Sequence, residues 1–289
     1  MNEASITYTN TSSRCPPGGV LSPVLFSIFI DDIVYKIKQA NVGCYLSLVC
    51  TSIFLFADDI LLVAPSVSGL QYLLNVCERE LEALDMRLNI NKSICIRFGQ
   101  RFDFNCSELH SLHGGIIKWS TSCRYLGVYF ISGRTFRCSF DGAKASFFRA
   151  FNAIFGKVGQ LASEETVLAL IQTKCLPVLL YATEVCPLLV RDVSSLEFTT
   201  TRVLMKLFRT GSSAIISECQ RFFNFLPIKL RLTIRTAKFL QAFAASENQL
   251  CFLFKRLATQ RLNDILANYS VDSLFQLTNA VRVQLLGAP

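Results

Sequence analysis

The chain has 289 residues, 51% of them hydrophobic and 17% charged, with 29 Lys and Arg against 21 Asp and Glu for a formal charge of +8. That is enough apolar material for one large globular body, partitioned as one mixed domain and one helical domain, and it excludes a small stapled domain. The twelve cysteines are spread singly without a CxxC pair, and both histidines, His110 and His113, stand apart from any cysteine pair. Zinc fingers and a secreted disulfide framework are thereby excluded, and reduced, buried thiols in an intracellular protein are expected.

Residues 1–14 are polar and rich in Ser, Thr and Asn, unlike a secretory signal. Gly18 and Gly19 leave a backbone open to close approach by a base pair or phosphate, and suit a simple turn equally well. Ser22 and Pro23 form an N-cap and first-turn pair, after which Phe26, Ile30, Ile33 and Ile37 recur at helical spacing. A buried helix to about Gln39 is predicted.

The run from Ile53 to Ala64 is apolar except for Asp58 and Asp59. Apolar strands on each side of a two-residue tip predict a tight hairpin with both acids at the turn, beside a buried sheet. Poorly solvated carboxylates cost on the order of several kcal/mol unless compensated, and a neighbouring one adds repulsion. A divalent cation compensates both, and Mg²⁺ takes its ligands from one or two carboxylates plus substrate phosphates. The alternative is a solvent-exposed Asp-Asp turn between core strands.

Ser68 opens a second amphipathic helix with Leu70, Leu74, Cys77, Leu81, Leu84 and Leu88 on one face and Glu78, Glu80, Glu82 and Arg87 elsewhere. Residues 89–98 read as a turn and a strand, with Lys92 at its entrance, where a solvated charge is the ordinary reading. Residues 124–130 read as strand around Gly127. Helical periodicity over 143–161 and 164–181, joined near Ala162 and Ser163, predicts an antiparallel helix pair.

From Arg202 to Arg261 there are eleven Lys or Arg against two acids, Glu218 and Glu247, a local balance of +9 that exceeds that of the whole chain. Phe208, Phe222, Phe223, Phe225, Phe239, Phe243, Phe252 and Phe254 lie between them, and Pro227 and Gly211-Ser212-Ser213 break the stretch into helical segments. One reading is that Arg202, Lys206, Arg209, Arg231, Arg235 and Lys238 neutralise a nucleic-acid backbone; the other is an ordinary solvated helix face. Phenylalanines can stack on bases, though at this spacing they more often form a core. The mean hydropathy of +0.39 raises the question of a membrane span. Residues 45–64 are long enough for one, but Asp58 and Asp59 each cost about 2.5–3.5 kcal/mol there. Residues 167–190 contain Lys174, Pro177 and Glu184 and fail similarly.

Phe56-Ala57-Asp58-Asp59 resembles the aromatic-Ala-Asp-Asp box of reverse transcriptases, especially those of non-LTR (LINE-type) retrotransposons. The neighbouring segments follow in that family's order: Pro17-Gly18-Gly19-Val20-Leu21-Ser22-Pro23-Val24-Leu25-Phe26, then Leu88-Asn89-Ile90-Asn91-Lys92-Ser93, then Tyr125-Leu126-Gly127-Val128. The likeness covers 17–128 and extends loosely to 187 through Leu176-Pro177-Val178-Leu179-Leu180-Tyr181.

The resemblance implies an α+β fold: a partial right-hand palm with an antiparallel sheet and packed helices over 1–140, a helical thumb over 141–200 and a basic helical region over 201–289. It implies that Asp58 and Asp59 hold Mg²⁺ for two-metal nucleotidyl transfer and that Lys92 faces the triphosphate. It further implies that Gly18, Gly19 and Phe56 hold template and nucleotide, and that Tyr125, Leu126 and Gly127 form the primer grip. An RNA template, a DNA primer and a dNTP are the implied partners, with no membrane, in the cytoplasm and nucleus. The family's Arg-Gln before the glycines is replaced by Pro16-Pro17. Its further aspartate comes from a strand upstream of the glycine turn, where residues 1–15 offer only Glu3. The expectation is therefore a polymerase fragment that lacks the fingers and the first catalytic strand and is inactive alone. The alternative is a non-catalytic nucleic-acid-binding remnant of a retroelement.

Overall fold

The computed structural model describes residues 4–10, 22–159 and 161–286. The chain divides into two compact units, Met1–Ser139 and Phe140–Pro289.

The first unit is built from β1 (Ala4–Asn10), α1 (Ser22–Gln39), β2 (Tyr45–Leu46), β3 (Val49–Cys50), β4 (Ile53–Phe56), β5 (Asp59–Ala64), α2 (Val67–Ala83), β6 (Ile94–Phe98), β7 (Leu109–His110), β8 (Ile116–Trp119), β9 (Ser122–Tyr125), β10 (Val128–Ile131) and β11 (Arg137–Ser139). Its main sheet runs β4-β5-β1-β6-β8-β7. All neighbouring pairs are antiparallel except β6 and β8, which are parallel. The central strand β1 was not expected from the polar N-terminus. Its signal is the run Ser5-Ile6-Thr7-Tyr8-Thr9, rich in β-branched and aromatic residues.

Both helices pack on one face of this sheet. Ile33 and Ile37 of α1, Leu70, Leu74, Cys77 and Leu81 of α2, and Ile60, Leu62 and Ala64 of β5 form one buried cluster. The strand contributes every second residue, and so presents Asp59, Leu61 and Val63 to the opposite face. On that opposite face, Ile96 and Phe98 of β6 meet Cys123 of a second, three-stranded sheet, β11-β10-β9, with Phe130 packed against them. Burial on both sides explains why Ile94-Cys95-Ile96 shows no polar alternation.

α1 spans the segment expected of it. α2 begins earlier than expected, because Ser66 is its N-cap and accepts the Gly69 N–H at 3.1 Å. It also ends earlier: Asp85 takes a left-handed φ of 55°, and Leu84 and Leu88 reach the core from beyond the helix. Glu78, read as part of the polar side, is buried, and its carboxylate accepts the Leu112 N–H at 2.8 Å. Gln71 bonds both the N–H and the carbonyl of His110, at 2.8 and 2.6 Å, and His113 reaches Glu82 at 2.6 Å. One side of α2 thus clasps the β7–β8 hairpin.

The second unit is helical among its described residues: α3 (Asp141–Val158), α4 (Glu164–Leu170), a π-helical turn (Ile171–Cys175), α5 (Leu176–Leu179), α6 (Val190–Leu207), α7 (Ser213–Phe222), α8 (Ile228–Ala245), α9 (Gln249–Asn268) and α10 (Leu274–Leu286). Residue 200, the expected end of the thumb, falls inside the continuous helix α6. Ser163 caps α4, as its place before Glu164-Glu165 suggests, accepting the Thr166 N–H at 3.4 Å. The π-helical turn has a local cause: Pro177 has no N–H for the ladder and crowds the carbonyl of Thr173. Ser212 caps α7 and Pro227 precedes α8, so the expected breaks are real. Glu197 of α6 accepts the Lys229 N–H at 3.2 Å, satisfying an N-terminal donor of α8. Among the described residues no helix is long and apolar enough to cross a membrane.

Candidate active site

The acid pair sits at a hairpin tip one residue out of the expected phase. Phe56 pairs with Asp59, so the turn is Ala57-Asp58, and Asp59 is already the first residue of β5. Ala57 takes a left-handed φ of 52°, a conformation that costs a non-glycine residue on the order of 1 kcal/mol. Both carboxylates are half-buried, better solvated than an apolar run suggests. Phe56, across from Asp59, is 60% exposed.

Strand register sets what lies near them. Asn10 of β1 pairs with Asp59, and the strand Ala4–Asn10 has no carboxylate in its sequence. Tyr8 pairs with Leu61 on one side and Ile94 on the other. Lys92, two residues before Ile94, therefore stands at the same edge of the sheet as Asp59, one strand away, roughly 10 Å at ordinary strand spacing. It is exposed, in a turn where its N–H bonds the Asn89 carbonyl at 3.1 Å.

Tyr125-Leu126-Gly127-Val128 is a hairpin rather than a strand. Tyr125 pairs with Val128, and Leu126 and Gly127 form the turn with φ of 46° and 82°. Two left-handed residues in a two-residue loop match the twist of antiparallel strands, and Gly127 supplies one of them without penalty. Tyr125 is buried, and its pKa is raised above the ordinary tyrosine value by that burial and by the Asp59 carboxylate. The fold thus brings Asp58, Asp59, Phe56, Lys92 and Tyr125 to one end of one sheet. Gly18 and Gly19 lie outside the described residues. Among the described residues no three His, Cys, Asp or Glu side chains converge. Two adjacent carboxylates are nevertheless a fitting partial donor set for a hard cation that draws its remaining ligands from phosphate and water.

The basic residues of the second unit divide into two kinds. Arg235 grips Glu184 through two nitrogens at 2.9–3.3 Å. Arg231 donates to the Leu226 carbonyl at 2.8 Å and lies 4.8 Å from the Phe225 ring centre. Burial pulls the Arg231 pKa down to about 10, against the pull of Glu197. These two hold the fold. Arg202, Lys206, Arg209 and Lys238 are exposed. Lys206 bonds Asn152 of α3 at 3.1 Å and lies over Phe151 and Phe155, at 5.6 and 5.2 Å. The exposed Arg149 and Lys157 flank Asn152 on α3 and extend this cationic side. The sequence reading missed them because they precede the counted stretch.

Comparison with known proteins agrees with this geometry. Residues 1–130 match the family described as reverse transcriptase (RNA-dependent DNA polymerase). Residues 1–130 are a reverse transcriptase segment of the non-LTR kind. The chain is also 28% identical over 134 residues to the retrovirus-related Pol polyprotein from type-2 retrotransposable element R2DM of Drosophila melanogaster, a match over 42% of this chain and 12% of that polyprotein. The chain is thus a reverse transcriptase fragment, with a partial palm followed by a helical region. Reverse transcriptases as a family depend on divalent metal and bind a nucleic-acid template and primer.

Proposed function

We propose that the acid hairpin is the metal-holding corner of a site for RNA-directed DNA synthesis. The observation that carries this reading is the register, which sets Asp58, Asp59 and Lys92 along one sheet edge with Tyr125 beside Asp59. Asp58 and Asp59 would hold Mg²⁺, which when bound supplies charge neutralisation at the transferring phosphoryl group. Lys92 faces the triphosphate of the incoming dNTP, and Phe56 borders the template and nucleotide. The turn Leu126-Gly127 with Tyr125 steadies the primer end.

A complete two-metal site needs a further carboxylate on the strand next to Asp59. Here that neighbour is β1, with Asn10 at the paired position. This chain alone therefore falls short of efficient polymerisation, and the complete site includes sequence beyond it. The exposed cations of α3 and α6 neutralise template and primer backbones, a role that persists as nucleic-acid binding where synthesis is lost. The protein acts inside the cell, in the cytoplasm and nucleus. The test is primer extension on an RNA template by a form that restores the upstream strand: Asp58→Ala is expected to abolish Mg²⁺-dependent product, and unchanged product would sink the assignment.

A further inference from the structure

The eight phenylalanines of the basic stretch do not share one fate. Phe225 is buried and Phe208, Phe223, Phe239 and Phe243 are half-buried, but Phe252 is 73% exposed. It stands near the start of α9, whose later residues Leu262, Ile265 and Leu266 pack with Ala237, Leu277 and Val281. At 100° per residue, that packing leaves Phe252, Leu253, Arg256, Leu257 and Gln260 on the outward face of the helix, all of them exposed. Lys255 and Arg261 flank the face, and no carboxylate stands in the sequence between Glu247 and Asp264.

We propose that this face of α9 binds single-stranded nucleic acid, Phe252 stacking on a base while Arg256 and its neighbours Lys255 and Arg261 meet the phosphates. The argument is one of charge and spacing. Phe252 and Arg256 are one turn apart, near neighbours on a helix surface, which suits a base and its adjoining phosphate. An anionic membrane surface shares the charge preference, but a helix lying on lipid keeps its cations off the apolar face. Here Arg256 stands in the middle of it. The site goes beyond the backbone-neutralising role given to α6 and does not depend on the acid hairpin.

The experiment is fluorescence anisotropy of the whole chain with a labelled oligouridylate and a labelled RNA duplex of equal length, across a range of salt. Phe252→Leu is expected to weaken binding of the single strand roughly tenfold and leave the duplex unchanged, because only a ring stacks. Phe252→Tyr is expected to retain the affinity, and Arg256→Gln to reduce the salt slope by about one. Circular dichroism melts confirm that each variant is folded. Equal affinity in Phe252→Leu and the parent chain overturns the proposal, as does equal loss in the leucine and tyrosine variants. Uptake by phosphatidylserine vesicles with no RNA binding overturns it too. If Arg202→Gln with Arg209→Gln removes all RNA binding and Phe252→Leu removes none, the role given to α6 stands and this one falls.

Discussion

The phenol of Tyr125 lies buried within electrostatic reach of the Asp59 carboxylate, although the two stand on different sheets of the first unit. Burial first, and the like-signed neighbour second, disfavour the phenolate. The folded pKa is raised, so the folded chain holds this proton where the unfolded chain has released it. Its stabilising contribution is complete below the ordinary tyrosine value near 10 and is lost as pH rises toward the folded pKa. Tyr125→Phe is expected to flatten the alkaline fall in stability, measured by urea unfolding at several pH values. Asp59→Asn is expected to lower the Tyr125 pKa, without returning it to that of free tyrosine, in a spectrophotometric titration.

The turn residue Ala57, at a φ of 52°, is strained. Ala57→Gly relieves that strain at some cost in unfolded-state entropy, for a net gain of about 0.5–1 kcal/mol. Ala57→Val places a β-branched residue in the left-handed region and is expected to cost about 1–2 kcal/mol. Denaturant midpoints at constant slope decide both.

The clasp between α2 and the β7–β8 hairpin depends on a buried acceptor. Glu78→Ala strands the Leu112 N–H and is expected to destabilise the first unit by about 1–3 kcal/mol, whereas Glu78→Gln keeps an acceptor oxygen and costs less. Hydrogen exchange at Leu112 reports it directly, rising sharply in the alanine variant only.

The two kinds of cation should separate experimentally. Arg235→Gln leaves Glu184 without its two-nitrogen partner and is expected to cost about 1 kcal/mol, after allowance for the partial exposure of both groups. Arg202→Gln with Arg209→Gln is expected to leave the unfolding midpoint in place, weaken nucleic-acid binding and reduce its salt slope by about two. Unfolding curves and binding isotherms on the same samples distinguish these outcomes.

Much of this was legible in the sequence, and the failures have physical causes. α1 was readable because Ile30, Ile33 and Ile37 keep a helical period behind Ser22-Pro23. The acid hairpin was readable from its flanking apolar runs, but its phase was not, since Ala57 gives no local sign that it will take a left-handed turn. Gly127 offered such a sign at the second hairpin, yet the strand propensity of Tyr and Val around it pointed elsewhere. β1 was hidden because a central strand announces itself by hydrophobicity, and Ala4–Asn10 carries Ser, Thr and Asn. The roles of Arg231 and Arg235 were beyond any charge count, because their partners Leu226, Phe225 and Glu184 are set by tertiary packing.

The measurement that bears most directly on the central claim is paramagnetic broadening by Mn²⁺, standing in for Mg²⁺, in nuclear magnetic resonance spectra of the whole chain. The geometry predicts that amide signals of Ala57, Asp58, Asp59, Leu126 and Gly127 are lost first, Lys92 following, and that Asp58→Asn with Asp59→Asn abolishes this pattern. Broadening that begins elsewhere, or that survives loss of both carboxylates, would contradict it.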